Sequence, residues 1–323
     1  MADGAEEKDT EVTSTSRASR NAQVIALTLL ALLIVFHLVN NVLWQIANEL
    51  VYSMDRMFHQ VTSLAYYEIL RESVNLHTLF SALTWSDYYP PLVHLTVTGF
   101  YKLFGVSMDV AALSNSLWLV ALLLAVYGIG KRLGGPWVGL LSAFVVSTFP
   151  IIFAMSRYLY IDYALTAMVA VNVYLLLRSE RFKHKGCSIL YGITLGLGML
   201  IKWTFVVFVG PPLLVVLVSP GLVAAVGHTL RPSTWKWRRL LLAVLLGLGL
   251  TALWFLPNIE TTATLPLGYA LVPVSWLLWT VTWFFLLYPS ERGSNLLGAL
   301  GLALNVASGW YLTKINFVGA FWL

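Results

Sequence analysis

The chain has 323 residues, is 59% hydrophobic and only 11% charged, and carries a formal net charge of +5. With a mean hydropathy of +0.77, that composition excludes a soluble globule, and basic residues in short loops between apolar runs set membrane topology rather than a nucleic-acid footprint. A single cysteine, Cys187, excludes an intramolecular disulfide and a multi-cysteine metal site, and it reads as inert packing near a helix end.

Residues 1–20 are polar and hold no apolar run, which predicts a disordered cytoplasmic tail. From residue 21 to 323 the chain reads as one transmembrane domain. Runs of about 20 apolar residues predict an all-α, polytopic helical bundle of about nine spans. These lie near 22–44, 110–129, 136–155, 159–177, 188–209, 212–229, 240–257, 267–288 and 294–313. The first run is too long for a signal-peptide core and lacks a small-residue cleavage site, so it reads as an uncleaved anchor.

Between the first two spans lies the long connection 45–109. In "VYSMDRMFHQVTSLAYYEILRES" apolar and aromatic positions recur at helical spacing, alternating with Asp55, Arg56, His59, Gln60, Glu68 and Arg71. That pattern predicts an amphipathic helix along the membrane surface, with Asp55 held at the lipid–water boundary. "TWSDYYPPLVHL" follows, where Pro90 and Pro91 fix a bend. The apolar piece 90–105 is too short to cross and is expected to re-enter from the face it leaves. Asp55 and His59, four apart, could share a metal on a helix face, but a lone pair at that spacing is more often a surface hydrogen bond. A divalent metal therefore stays unsupported and no cofactor is assigned.

Lys131-Arg132, the group Arg178, Arg181, Lys183 and Lys185, and the group Arg231, Lys236, Arg238 and Arg239 make three loops strongly basic. The positive-inside rule places them in the cytoplasm with the N-terminus, Arg17, Arg20 and Arg292. The connection 45–109, the turn from Arg157 to Asp162 and the "WFLPNIE" turn ending at Glu260 then fall outside. Lys202, about fourteen residues into its predicted span, sits ~21 Å up at 1.5 Å per residue, in the outer third. An ionisable residue at membrane depth costs at least ~2.5 kcal/mol and marks function. "SRYLYID", residues 156–162, is such a place.

The ordered motifs resemble the polyprenyl-phosphate-sugar-dependent glycosyltransferases of the C-type superfamily, nearest the protein O-mannosyltransferase and aminoarabinose-transferase group. Asp55 in "MDRMFHQ" matches an early outer-loop acid, and "YYPPLVHL" matches a motif entering the membrane. "YKLFGVS", "YGIGKRLGG", "SRYLYIDYALTA", "GITLGLGMLIKWT" and "ALWFLPNIE" follow in the family's order. The chain departs from the pattern where Arg56 follows Asp55 and where Tyr89 stands for the commoner histidine.

The resemblance implies transfer of a sugar from a polyprenyl or dolichyl phosphate to an acceptor hydroxyl on the extracytoplasmic face, with inversion. Asp55 would be the base, and Arg157 and Lys202 would stabilise the leaving phosphate by charge-assisted hydrogen bonds. Asp162 could orient Arg157, bind sugar or share in acceptor activation. Tyr89, Tyr158 and Tyr160 could donate to phosphate or stack on sugar, and Arg56 joins the donor-binding set. The expected partners are the lipid-phosphate sugar, membrane lipids and an acceptor of unknown class (lipid, polysaccharide or protein). The plasma membrane is preferred over the endoplasmic reticulum.

Plainer readings stand beside these. Arg157 and Asp162 could be a structural ion pair, Lys202 could snorkel to the surface, and His94 could be a satisfied packing residue. The glycines at 192, 196 and 198 suit close helix packing. A transporter or flippase of a lipid-linked sugar would also use buried charges, although no inverted repeat is visible. A non-catalytic partner subunit with the same fold is the other alternative.

Overall fold

The computed structural model describes residues 3–48, 54–86, 88–225 and 237–255, and every element among them is a helix. In chain order these are α1 (Asp3–Ala47), α2 (Met54–Leu70), α3 (Leu76–Trp85), α4 (Leu92–Phe104), α5 (Met108–Leu113), α6 (Asn115–Gly134), α7 (Pro136–Thr148), α8 (Pro150–Met155), α9 (Ile161–Arg178), α10 (Lys185–Met199), α11 (Phe205–Ala225) and α12 (Trp237–Phe255). Among the described residues three stretches are long and apolar enough to cross a membrane: Ser19–Ala47, Met108–Gly134 and Ile161–Arg178. Shorter apolar helices cover Pro136–Thr148, Phe205–Val216 and Leu241–Leu253. The predicted spans 267–288 and 294–313, and the turn ending at Glu260, lie outside the described residues. A total of nine spans is therefore not reached among the described residues.

The chain divides into two compact units, residues 1–73 with 93–174, and residues 74–92 with 175–323. In the first unit, α1 packs against α6 and α7, and α6 and α7 form a hairpin. Its hinge is Gly134-Gly135-Pro136. Gly135 takes a φ of 87°, a left-handed conformation that glycine adopts without a Cβ clash. Its N–H closes α6 on the Lys131 carbonyl at 2.9 Å. Pro136 then opens α7, at a position whose N–H has no helical partner anyway. Further along, a Cβ on Gly130 would stand only 2.9 Å from the Gly139 Cα, so glycine sets the closeness of this pair.

The predicted span 136–155 is not one helix. α7 stops at Thr148, and Phe149 is extended (φ −61°, ψ 125°) before Pro150, because a residue preceding proline is pushed out of the α region. The short α8 restarts at Pro150 and delivers the chain to the 156–160 turn.

α2 and α4 also belong to the first unit and carry a buried polar cluster. The Ser63 hydroxyl donates to the His59 carbonyl at 2.7 Å and lies 2.9 Å from His94 Nδ1. Because that hydroxyl has one proton and has committed it, His94 Nδ1 is the donor to Ser63. Tyr66 stacks on the His94 ring at 5.5 Å, and His59 lies 5.7 Å from it. Burial, aided by His59, holds the His94 imidazole down at about 3, so it is neutral. His59, read from the sequence among the polar positions of an interfacial helix, is in fact buried.

In the second unit α10 and α12 meet along a glycine seam. A Cβ on Gly192 would come within 2.3 Å of the Ala243 carbonyl oxygen, and one on Gly196 within 2.5 Å of Leu250 Cβ. The third glycine, Gly198, makes room for the Phe205 ring, which a Cβ would meet at 2.3 Å. There the chain leaves the helix: the N–H groups of Leu200, Ile201 and Lys202 tie back to the Gly196 and Gly198 carbonyls. The predicted span 188–209 is thus interrupted, and Lys202 lies in the turn between α10 and α11 rather than in mid-helix. Pro90 and Pro91 have no N–H to offer, and the next donor, Leu92, bonds the Leu200 carbonyl at 2.9 Å. That bond sets the "YYPPL" segment beside the turn that carries Lys202.

Candidate functional site

The turn after α8 closes its own helix end, with the N–H groups of Ser156, Arg157 and Tyr158 on the carbonyls of Ile152, Ala154 and Met155, and amide side chains from α1 and α6 donate to the carbonyls of Met155 to Tyr158. Asn115, the first residue of α6, donates to the carbonyls of Met155 (3.1 Å) and Tyr158. From α1, Asn41 donates to the Ser156 carbonyl at 3.3 Å, and Gln45 to the Arg157 carbonyl. Arg157 itself donates through Nη2 to Asn40 Oδ1 and through Nε to Asn41 Oδ1 at 3.4 Å. Its guanidinium carbon lies 3.9 Å from the Phe153 ring centroid and 5.8 Å from that of Trp44. Burial lowers the pKa of this guanidinium, and Tyr158 offsets part of that; arginine nevertheless stays protonated at any working pH.

Next to it, Arg56 in the first turns of α2 places its guanidinium carbon 3.0 Å from the Tyr158 ring centroid and 5.5 Å from that of Tyr160. Trp44 meets Tyr158 edge-on, 4.7 Å between centroids. The Arg56 Nε is buried and makes no hydrogen bond among the described residues. These groups face a cavity of about 330 Å³, lined by Trp44, Gln45, Asn48, Arg56, Gln60, Asp109, Arg157 and Tyr158 together with Ile46, Met108, Ala112 and Leu159. That volume lies at the low end of the ~300–1,000 Å³ typical of small-molecule sites. Two guanidiniums against one carboxylate, Asp109, with two aromatic rings and three carboxamides, suit a small anion joined to a polyhydroxylated ring, since guanidinium grips phosphate and an aromatic face takes a sugar's C–H side.

Comparison with known families decides what kind of protein carries this cavity. The family model of dolichyl-phosphate-mannose-protein mannosyltransferase matches residues 88–255, just over half of the chain. The chain belongs to the dolichyl-phosphate-mannose-protein mannosyltransferase family. It is accordingly a membrane glycosyltransferase of the GT-C type, with mannosyltransferase-like activity. No curated protein and no solved structure matches it.

The stretch matched by the mannosyltransferase family includes Tyr89, Arg157, Tyr158, Asp162 and Lys202, and leaves Asp55 and Arg56 upstream of it. The structure brings Arg56, Arg157 and Tyr158 onto one cavity in the first unit. Asp55 is in the first turn of α2, one residue before Arg56, and its side chain lies outside the described residues. Asp162, exposed in the first turn of α9, is not among the cavity's lining residues; its carbonyl accepts from the Thr166 hydroxyl at 2.8 Å. Tyr89 and Lys202 belong to the second unit. Tyr89 is held in its turn by Ser86, whose hydroxyl accepts from the Tyr89 N–H at 3.3 Å and bonds its carbonyl at 3.1 Å.

Sequence reasoning missed Asn40, Asn41, Gln45 and Asn115. It searched apolar spans for ionisable residues, and amides carry no charge. The signal was present in "VNNVLWQ", three carboxamides within six residues at the end of an otherwise apolar helix.

Proposed function

We propose that this protein transfers a single sugar from a polyprenyl- or dolichyl-phosphate donor to an acceptor hydroxyl, with inversion, at the extracytoplasmic face. The observation that carries the reading is the pair Arg56 and Arg157 on one small cavity, with an aromatic platform between them. In the proposed step the acceptor oxygen attacks the anomeric carbon as the bond from that carbon to the phosphate oxygen breaks. The acceptor's proton passes to the Asp55 carboxylate. The released electron pair stays on the phosphate, where the guanidiniums of Arg157 and Arg56 stabilise it. Trp44 and Tyr158 support the sugar ring, and Asp162 serves the acceptor. Lys202 and Tyr89 are assigned to the donor by the family resemblance.

Helix direction supports the outer-face assignment. The cavity gathers the C-terminal end of α1 and the N-terminal end of α6. Arg20 stands at the start of the apolar stretch Ser19–Ala47 of α1, and the pair Lys131-Arg132 near the C-terminal end of α6, roughly 25–35 Å away at 1.5 Å per residue. By the positive-inside rule the basic ends face the cytoplasm.

The test is acceptor-dependent release of polyprenyl phosphate by purified protein given radiolabelled dolichyl-phosphate mannose, beside Asp55→Asn. Wild type is expected to release it, and Asp55→Asn to lose ~10²–10⁴-fold, the usual share of a general base. Full transfer by Asp55→Asn at equal expression overturns the mechanism. Binding of the donor without transfer by wild type favours the partner-subunit alternative.

A further inference from the structure

Among the described residues the side chains that hydrogen-bond Arg157 are neutral, and that is unusual for a half-buried guanidinium, which ordinarily takes a carboxylate partner. Its two hydrogen-bond acceptors are the Oδ1 atoms of Asn40 and Asn41. The carbonyls of the four consecutive residues Met155 to Tyr158 each receive an N–H from Asn41, Gln45 or Asn115. The orientation of Asn41 is forced by its neighbours. A guanidinium only donates and a carbonyl only accepts, so oxygen must face Arg157 and nitrogen must face Ser156. An aspartate at position 41 would repel the Ser156 carbonyl. At position 40 an aspartate would hold Arg157 at least as well as asparagine does, because only the oxygen is used there.

We infer that Asn40 and Asn41, with Gln45 and Asn115, form a carboxamide clamp that aims Arg157 into the cavity with no carboxylate hydrogen-bonded to it among the described residues, so that its charge is available to an incoming phosphate monoester. The inference rests on the reading of the cavity as the donor-phosphate site. The four amides are positioning residues: they act through Arg157 and the 155–158 backbone rather than on the reacting atoms. Neutral oxygens fix the direction of the fork without cancelling its charge, so the phosphate meets a full positive charge already in place and little side-chain freedom is lost on binding.

Asn40→Asp separates this from a merely structural role. It is isosteric, keeps the acceptor oxygen and adds only the charge. The experiment measures binding of farnesyl phosphate, with farnesol as the neutral-tail control, by titration calorimetry on the full chain in detergent. Wild type is expected to prefer the phosphate. Asn40→Asp should weaken farnesyl phosphate at least tenfold, leave farnesol within twofold and keep the melting temperature at or above the wild-type value. Asn40→Ser, neutral and shorter, should lose less than Asn40→Asp. If Asn40→Asp does not fold, Asn41→Ala serves instead, with the same selective loss of the phosphate ligand expected. Asn40→Asp binding farnesyl phosphate like wild type overturns the clamp while the cavity remains a phosphate site. Wild type binding the two ligands equally removes the phosphate reading, and the clamp with it.

Discussion

Two junctions in this protein hold candidate donor contacts, and they are built by opposite means. In the first unit the Arg157 turn is tied by side chains: carboxamides from α1 and α6 reach across to backbone carbonyls. In the second unit the Lys202 turn is tied by backbone: Leu92 to Leu200, and the turn's own N–H groups to Gly196 and Gly198, above a seam where glycines let α10 and α12 approach. A junction made of side chains can be altered chemically while the chain path persists. A junction made of glycines cannot, because any added atom moves a helix. The first is therefore the place to tune chemistry, and the second is scaffold.

Arg157→Gln should break the first junction's chemistry most completely, lowering kcat/KM about 10²–10³-fold, as expected for loss of an electrostatic contact to developing charge, with little change in melting temperature. Arg157→Lys keeps the charge but not the fork, and at a site built for a planar fork it should recover only part of that activity. An equal loss of activity and stability in Arg157→Gln would erase the contrast between the junctions.

Gly192→Val tests the second junction. Overpacking there should cost about 1–3 kcal/mol or more, read as a lowered melting temperature, and activity should follow the folded fraction. Gly186, where an added Cβ would meet nothing within 4 Å, provides the control: Gly186→Ala should be neutral to mildly stabilising. Arg56→Ala removes the stack on Tyr158 and should raise the donor KM about five- to thirtyfold, in line with the ~1–2 kcal/mol of a desolvated cation–π contact.

The last test is pH. His94 is held neutral in the fold at about 3, whereas the unfolded residue titrates near ~6.5. The unfolded chain therefore takes up the proton first. Stability is unaffected by this group above about pH 6.5 and falls as pH drops from there towards 3. His94→Gln should flatten that part of the melting-temperature profile relative to wild type.

The apolar helices were legible because a bilayer demands long hydrophobic runs, and the runs near residues 22–44, 110–129 and 159–177 correspond to described helices of spanning length. Breaks inside runs were harder. Phe149-Pro150 carries a local signal that the count of apolar residues overrode. The end of α10 carries almost none, since it depends on Phe205 filling the space beside Gly198. Of the candidate site, Arg56, Arg157 and Tyr158 were picked out by charge and aromatic character in an apolar chain. Their convergence was not, because Arg56 and Arg157 are about a hundred residues apart.

The sequence alone determined that this chain lives in a membrane, that it is helical, and that it belongs with the mannosyltransferases, because hydropathy and ordered motifs are linear properties. Only the tertiary structure decided which polar residues share a space. Hydrogen bonding is directional and pairwise: whether Asn41 is an idle amide in a greasy helix or the group that aims Arg157 depends on what stands about 3 Å from each of its two ends.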